Sequence, residues 1–363
     1  MKNVIKLLCT LSLLTACYVN AAPTNLQAKI IGGKTAETGA WPWMTAFVFS
    51  HSNSVFCGGS LIAPNWVLTA AHCMFDELPV GSGRYVPTDF STFDMLINRS
   101  KLSATNGERI TAEQVVIHPK FDRNSLINDL ALVKLSTSSS ATPIETLPDF
   151  SNLDENGQNN AIALGWGNTS ATTNKFPTSL QQVTLPIISN EQCKKSLSDI
   201  DDYMLCAGLV TGGVDTCEGD SGGPLIVFDP ERGIWRQAGI TSFGEADCGT
   251  RGFYGVYTRL DVFKGFISKT ICSVDQIPAA PSLMLSTNAT TVTATWNTSS
   301  KATGYRLYYA PFPSQFPISG LELDHSGKLS VTLPRGSAFY VAINAYNSNC
   351  QSDFSNIEHF VID

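Results

Sequence analysis

An all-β chain is what this sequence predicts, on three grounds. From Phe47 to Ile144 the apolar runs are short, rich in Val, Ile and Leu, and separated by Gly, Pro, Asn and Ser. That spacing belongs to antiparallel strands joined by turns, not to helices alternating with a parallel sheet. From about Ser282 the pattern turns to alternation in Thr291 to Trp296, in Tyr305, Leu307 and Tyr309, in Leu329, Val331 and Leu333, and in Phe339, Val341, Ile343 and Ala345. A period of two marks strands with one buried face. Finally, of ten cysteines, Cys9 and Cys17 fall in an N-terminal apolar segment, and the other eight suit a disulfide framework formed during export.

A chain of 363 residues, 43% of them hydrophobic, can bury one large core or two smaller ones. Charged residues make up 15% and the net charge is −7, which argues against nucleic acid as a partner. Residues 1–21 read as a signal peptide. Lys2 and Lys6 supply the basic start, Leu7 to Ala16 the apolar stretch, and Ala21 and Ala22 the small residues for cleavage. This segment is too short to span a bilayer, and no other stretch could cross a membrane. Leu14-Thr-Ala-Cys17 also resembles a bacterial lipoprotein cleavage box, which would leave Cys17 lipidated; chance is the preferred reading of so short a motif. The expected location is secreted, with a periplasmic or lipid-anchored protein as the alternative.

Chemistry concentrates in Cys217-Glu-Gly-Asp-Ser-Gly-Gly-Pro-Leu225. Ser221 is the candidate nucleophile, and a hydroxyl at neutral pH needs a base for its proton and donors for the oxyanion that follows attack on a carbonyl. Gly219-Asp-Ser-Gly-Gly223 also fits the nucleophile elbow of α/β-hydrolases, in which the serine comes first and the histidine last. Here the partners lie upstream: His72 in Leu68-Thr-Ala-Ala-His-Cys73, then Asp129 in Asn128-Asp-Leu-Ala-Leu132. His51 and His118 carry no such context and read as structural.

Taken together, these segments make residues 30–272 resemble the trypsin/chymotrypsin family of serine endopeptidases. The resemblance implies two six-stranded antiparallel β-barrels, with His72, Asp129 and Ser221 as triad and the amides of Gly219 and Ser221 as oxyanion hole. It further implies the disulfides Cys57 with Cys73, Cys193 with Cys206, and Cys217 with Cys248. Cys272 and Cys350 remain and are expected to tie two domains together.

Lys29-Ile-Ile-Gly-Gly33 resembles the family's activation site, so residues 22–29 read as a propeptide. Cleavage after Lys29 would free an α-ammonium on Ile30 to pair with Asp220. Asp215, six residues before Ser221, occupies the family's position at the base of the specificity pocket. Gly244 and Gly255 stand at its walls, and cleavage after Arg or Lys follows from a carboxylate there. Ser242-Phe-Gly244 should pair with the substrate backbone. Glu218 is placed at the pocket rim, and Tyr254 reads as an ordinary loop tyrosine. Residues 98–107 lack the carboxylates of a calcium loop, and the chemistry needs neither metal nor cofactor.

Ala163-Leu-Gly-Trp-Gly167, Leu185-Pro-Ile-Ile-Ser189 and Met204-Leu-Cys-Ala-Gly208 are expected strands of a second barrel starting near Asn160, with a short helix from Asn190. Apolar residues at helical spacing after Asp261 predict a closing helix to Ile271, with Asp261 as N-cap. Residues 273–281 read as a linker. Residues 282–363 look like a small immunoglobulin-like sandwich, most similar to fibronectin type III; its pairing with a trypsin-like domain resembles secreted bacterial proteases. The competing functional reading is a binding or adhesion protein on an inactive protease scaffold.

Overall fold

The computed structural model describes residues 30–146, 156–170, 173–230, 232–244, 247–273, 275–314, 318–347 and 349–362, with backbone alone for 156–159. The leader, Cys17 and Lys29 lie outside the described residues.

Six strands, Met44–Phe49, Val55–Ala63, Trp66–Thr69, Phe93–Ile97, Glu108–Ile117 and Ala131–Leu135, pair antiparallel and close a first barrel. Its interior is filled by the inward members of each strand, among them Phe47, Leu61, Leu68, Met95 and Val133. Phe47 meets Phe93 edge to face at 5.6 Å. Gly59 is required beneath that ring, because a Cβ there would lie 2.7 Å from it.

The second barrel uses Asn156–Gly165, Gln181–Ile188, Met204–Ala207, Pro224–Asp229, Ile234–Phe243 and Gly255–Arg259. It closes where Ile187 and Ile188 pair with Ala207 and Cys206. Its first strand starts at Asn156, ahead of the expected Asn160, because the polar run extends the pairing past an irregularity between those two residues. The closing helix is Lys264–Ile271, shorter than expected. Asp261 does not cap it, since its carboxylate is taken by Arg259 at 2.9 Å.

Beyond the barrels, Leu283–Asn288, Thr291–Trp296 and Lys328–Thr332 form one antiparallel sheet. Ser319–Leu323, Gly304–Pro311, Ala338–Asn347, Cys350–Gln351 and Glu358–Val361 form another. Trp296, Tyr305, Ile343 and Ala345 belong to the shared core, which makes this unit a small β-sandwich. Among the described residues four disulfides form: Cys57 with Cys73, Cys193 with Cys206, Cys217 with Cys248, and Cys272 with Cys350, the last joining barrels to sandwich. Among the described residues no helix is long and apolar enough to cross a membrane.

Candidate active site

His72 sits in a single 3-10 turn, Ala71–Met74, that follows the first-barrel strand Trp66–Thr69, and the bond from Cys73 to Cys57 fixes that turn to the neighbouring strand. Asp129 is fully buried. Its Oδ1 accepts the His72 backbone N–H at 2.8 Å, and its Oδ2 lies 2.7 Å from His72 Nδ1. The same Oδ2 accepts from Ser242 Oγ at 2.5 Å, and the Asp129 carbonyl accepts from Thr258 Oγ1 at 2.7 Å. A buried carboxylate is tolerable only when donors surround it, and here they do so while directing Nδ1–H of the imidazole inward. Nε2 is thereby left for proton exchange. Ser242, assigned from sequence to the substrate-pairing strand, spends its hydroxyl on Asp129. Thr258 was missed, because nothing in a strand's sequence says what its hydroxyl will meet across 129 residues.

Arg123 was missed as well. It donates to the His72 carbonyl at 3.3 Å, and its guanidinium lies 3.6 Å from the centre of the Tyr85 ring. It therefore ties the short hairpin of Phe75–Glu77 and Tyr85–Pro87 to the histidine turn.

The Ser221 loop is stitched between the barrels. Gly222 N–H donates to Thr241 O at 2.8 Å, Thr241 N–H to Gly223 O at 2.9 Å, and Gly58 N–H to Ser221 O at 2.7 Å. Gly222 has φ +78°, and a Cβ there would collide with Thr69 Oγ1 and lie 3.1 Å from Ala70 N. Only glycine permits that approach, which sets the loop against the turn carrying His72. Gly219 has φ +91°, and among the described residues the N–H groups of Gly219 and Ser221 have no acceptor. The Ser221 hydroxyl makes no hydrogen bond among the described residues; the contact made by His72 Nε2 is with Cys73 Sγ, at 3.8 Å. Cys57, His72 and Cys73 cluster tightly, but both sulfurs are spent in a disulfide, so only one imidazole could bind a metal.

Asp220 is completely buried, accepting from Gly167 N–H at 2.7 Å and Cys217 N–H at 2.9 Å. Burial raises its pKa to about 7, against those two bonds, with the nearby Asp215 charge adding a smaller push. No cation pairs with it among the described residues. Ile30 is also fully buried, packed with Ala161, Ala163, Leu185 and Val214, at φ +42°. The following carbonyl, Ile31 O, accepts from Asp215 N–H at 3.1 Å, which connects this segment to the pocket.

Asp215 is 9% exposed. Its Oδ2 accepts from Gly249 N–H at 3.0 Å, whereas Oδ1 is buried with no partner among the described residues. Burial lifts its pKa to about 6 despite the amide bonds. A Cβ on Gly255 would stand 2.9 Å from that free oxygen and 3.1 Å from Tyr257 Oη, so glycine keeps the space beside the carboxylate open. Tyr257 is buried with its hydroxyl 3.2 Å from Thr216 Oγ1, and burial followed by the Asp215 charge pushes its pKa up. Gly244 faces open space. Phe243 ends its strand, half-buried against the cluster that includes Tyr254. The Glu218 carbonyl accepts from Asn168 N–H at 2.7 Å. Tyr254, read as a loop tyrosine, does lie in the loop before Gly255–Arg259, where it is buried at 3% exposure with Gln192 Nε2 donating to its hydroxyl. His118 packs on Phe263 and Phe266, in keeping with a structural role.

A family model described as Trypsin matches residues 30–267, more than half of the chain. Mannan-binding lectin serine protease 1 of Homo sapiens is 32% identical over 269 residues, covering 70% of this chain and 37% of that protein. Serine protease 56 of Homo sapiens is 37% identical over 255 residues, covering 68% and 39%, and its Mus musculus counterpart is 36% identical over 271 residues. The chain thus spans well under half the length of these relatives. Two six-stranded barrels, a histidine locked to a buried aspartate, and a matching family model together place the chain in the trypsin family.

Proposed function

We propose that this chain is a secreted serine endopeptidase, made as a precursor, that cuts peptide bonds after Arg or Lys. The observation that carries the reading is the buried bond between His72 Nδ1 and Asp129 Oδ2, because it fixes the imidazole with Nε2 turned away from Asp129, on a turn against which Gly222 sets the serine loop. His72 Nε2 takes the proton of Ser221 Oγ as that oxygen bonds to the substrate carbonyl carbon. The N–H groups of Gly219 and Ser221, which have no acceptor within the described chain, hold the resulting oxyanion. The imidazolium, stabilised by Asp129, returns its proton to the leaving amine, and a water activated in the same way releases the acyl group from Ser221. Asp215 supplies the preference: its unpaired Oδ1 is a costly group until a guanidinium or ammonium reaches it. The sandwich is proposed as a fibronectin type III-like module.

The test is a peptide-library cleavage profile of protein cut after Lys29, run beside labelling with an organophosphate. Cuts after Arg and Lys with an adduct on Ser221 support the proposal; a processed protein without adduct would favour the inactive scaffold instead.

Maturation follows from Asp220. With Ile30 in peptide linkage the carboxylate is ionised at a cost, and the expected α-ammonium removes it. A group whose folded pKa is raised from 3.8 to about 7 holds a proton that the unfolded chain has released. The uncut protein therefore loses stability as pH climbs from about 4 to about 7, by on the order of 4 kcal/mol. Asp220→Asn cannot ionise, so its melting temperature relative to wild type is expected to rise between pH 5 and pH 8. An equal difference at both pH values, read by scanning fluorimetry on uncut protein, contradicts this account. In cut protein, activity is expected to decline in alkali as the Ile30 amine loses its proton, near pH 8 for a model α-amino group.

A further inference from the structure

The sandwich reaches into the seam between the barrels with one side chain. Asn349, only 5% exposed, precedes the disulfide-bonded Cys350. Its Nδ2 donates to Ile62 O at 2.7 Å and to Ile144 O at 3.3 Å. Its Oδ1 accepts from Thr146 N–H at 2.8 Å and from Thr146 Oγ1 at 2.9 Å. Two donors and two acceptances satisfy the amide, and they fix its orientation.

These partners are the roots of the strands that hold the active site. Ile62 belongs to Val55–Ala63, the first-barrel strand that also carries Cys57, bonded to Cys73 beside His72, and Gly58, whose N–H holds Ser221 O. Thr146 pairs in register with Gln237 on Ile234–Phe243, the second-barrel strand whose Ser242 donates to Asp129. Ser60 Oγ donates to Gln237 Oε1 at 2.6 Å, so the two strands are joined directly at this point. The sandwich is held there firmly. Besides the disulfide, Gln351 N–H donates to Ser268 Oγ at 3.2 Å, and Lys264 Nζ donates to Tyr308 Oη at 3.3 Å. A plug that binds the first strand directly and the second through Thr146 governs how the barrels sit relative to each other, and small misplacements of catalytic groups are expensive.

We infer that Asn349 is a positioning residue for catalysis, through which the C-terminal sandwich sets the placement of the Ser221 loop against the His72 and Asp129 pair. The inference rests on the protease reading above. It makes the sandwich a working part of the enzyme and not a tethered accessory. The cation-binding pocket is expected to be indifferent, because Asp215, Gly249, Gly255 and Tyr257 lie against one another without the first barrel.

The experiment uses full-length protein cut after Lys29, with an Arg-containing fluorogenic peptide and benzamidine as a ground-state probe of the pocket. Asn349→Ala is expected to lower kcat by roughly 10- to 100-fold, with benzamidine affinity within about twofold of wild type. Should Asn349→Ala fail to fold, Thr146→Val removes one of the four bonds and is expected to lower kcat several-fold, while Thr146→Ser, which keeps the hydroxyl, restores it. Folded variants with wild-type kcat, or a loss shared equally by kcat and benzamidine affinity, overturn the inference while leaving the protease reading in place. A cut wild-type protein that neither hydrolyses the peptide nor takes an organophosphate overturns both.

Discussion

Ser221→Ala is expected to reduce kcat in cut protein by about 10⁶, the scale seen when the nucleophile of a serine protease is removed. The size follows from what remains. Asp129 keeps its bonds to His72, Ser242 and Thr258, and the two free amides stay in place, yet no acyl-enzyme can form. Binding should survive, since Asp215 lies in a separate buried site. Benzamidine affinity in Ser221→Ala should therefore match wild type. Steady-state hydrolysis of an Arg peptide together with a benzamidine titration checks both halves. Residual turnover within a factor of a hundred of wild type would remove Ser221 from its role.

Asp215→Asn carries the second large effect. The wild-type carboxylate is buried with one oxygen unpaired, so an arriving guanidinium both gains a charge partner and relieves an unsatisfied acceptor. Breaking such a buried pair costs about 3–5 kcal/mol, which lowers kcat/KM for Arg and Lys substrates by about 10²–10⁴. The sign with pH is definite. Asp215 titrates at about 6 when the pocket is empty, because burial opposes its charge. A cation prefers the ionised form, so benzamidine affinity should be flat above about pH 7 and fall toward tenfold per unit well below pH 6. In Asp215→Asn that slope disappears. Affinity measured by calorimetry or inhibitor competition from pH 4.5 to pH 8 decides it, and a slope persisting in the variant would assign the acid limb to another group.

How much of this could be read from the chain depended on whether a residue announces its partner. The Ser221 loop was legible because its glycines are needed locally: Gly219 and Gly222 adopt positive φ within the motif itself. His72 was legible for a related reason, since Cys73 and the strand Trp66–Thr69 frame it directly. Thr258, Arg123 and Asn349 were not, nor was the hydroxyl contact of Ser242, because each gives its polar atoms to a group far away in sequence. A hydroxyl or amide in isolation looks like any surface residue. Asp261 failed in the opposite direction: a good capping residue type was present, but Arg259, two positions away, offered its carboxylate a charged partner. In the sandwich, Ser319–Leu323 and Leu283–Asn288 show no clear alternation because glycine, serine, threonine and asparagine interrupt their apolar positions.

Ile30 carries a consequence of its own. A β-branched side chain at φ +42° is held where L-residues with bulk at Cβ are rarely found, at a cost of about 1–3 kcal/mol. That torsion is defined by the carbonyl carbon of residue 29, so hydrolysis at the proposed site abolishes the angle itself and not merely its value. Religation would have to wind the isoleucine back into the same unfavourable geometry inside a closed core. Under the proposed maturation, cleavage would thus work as a ratchet, with the backbone opposing the reverse step before any charge pairing is counted.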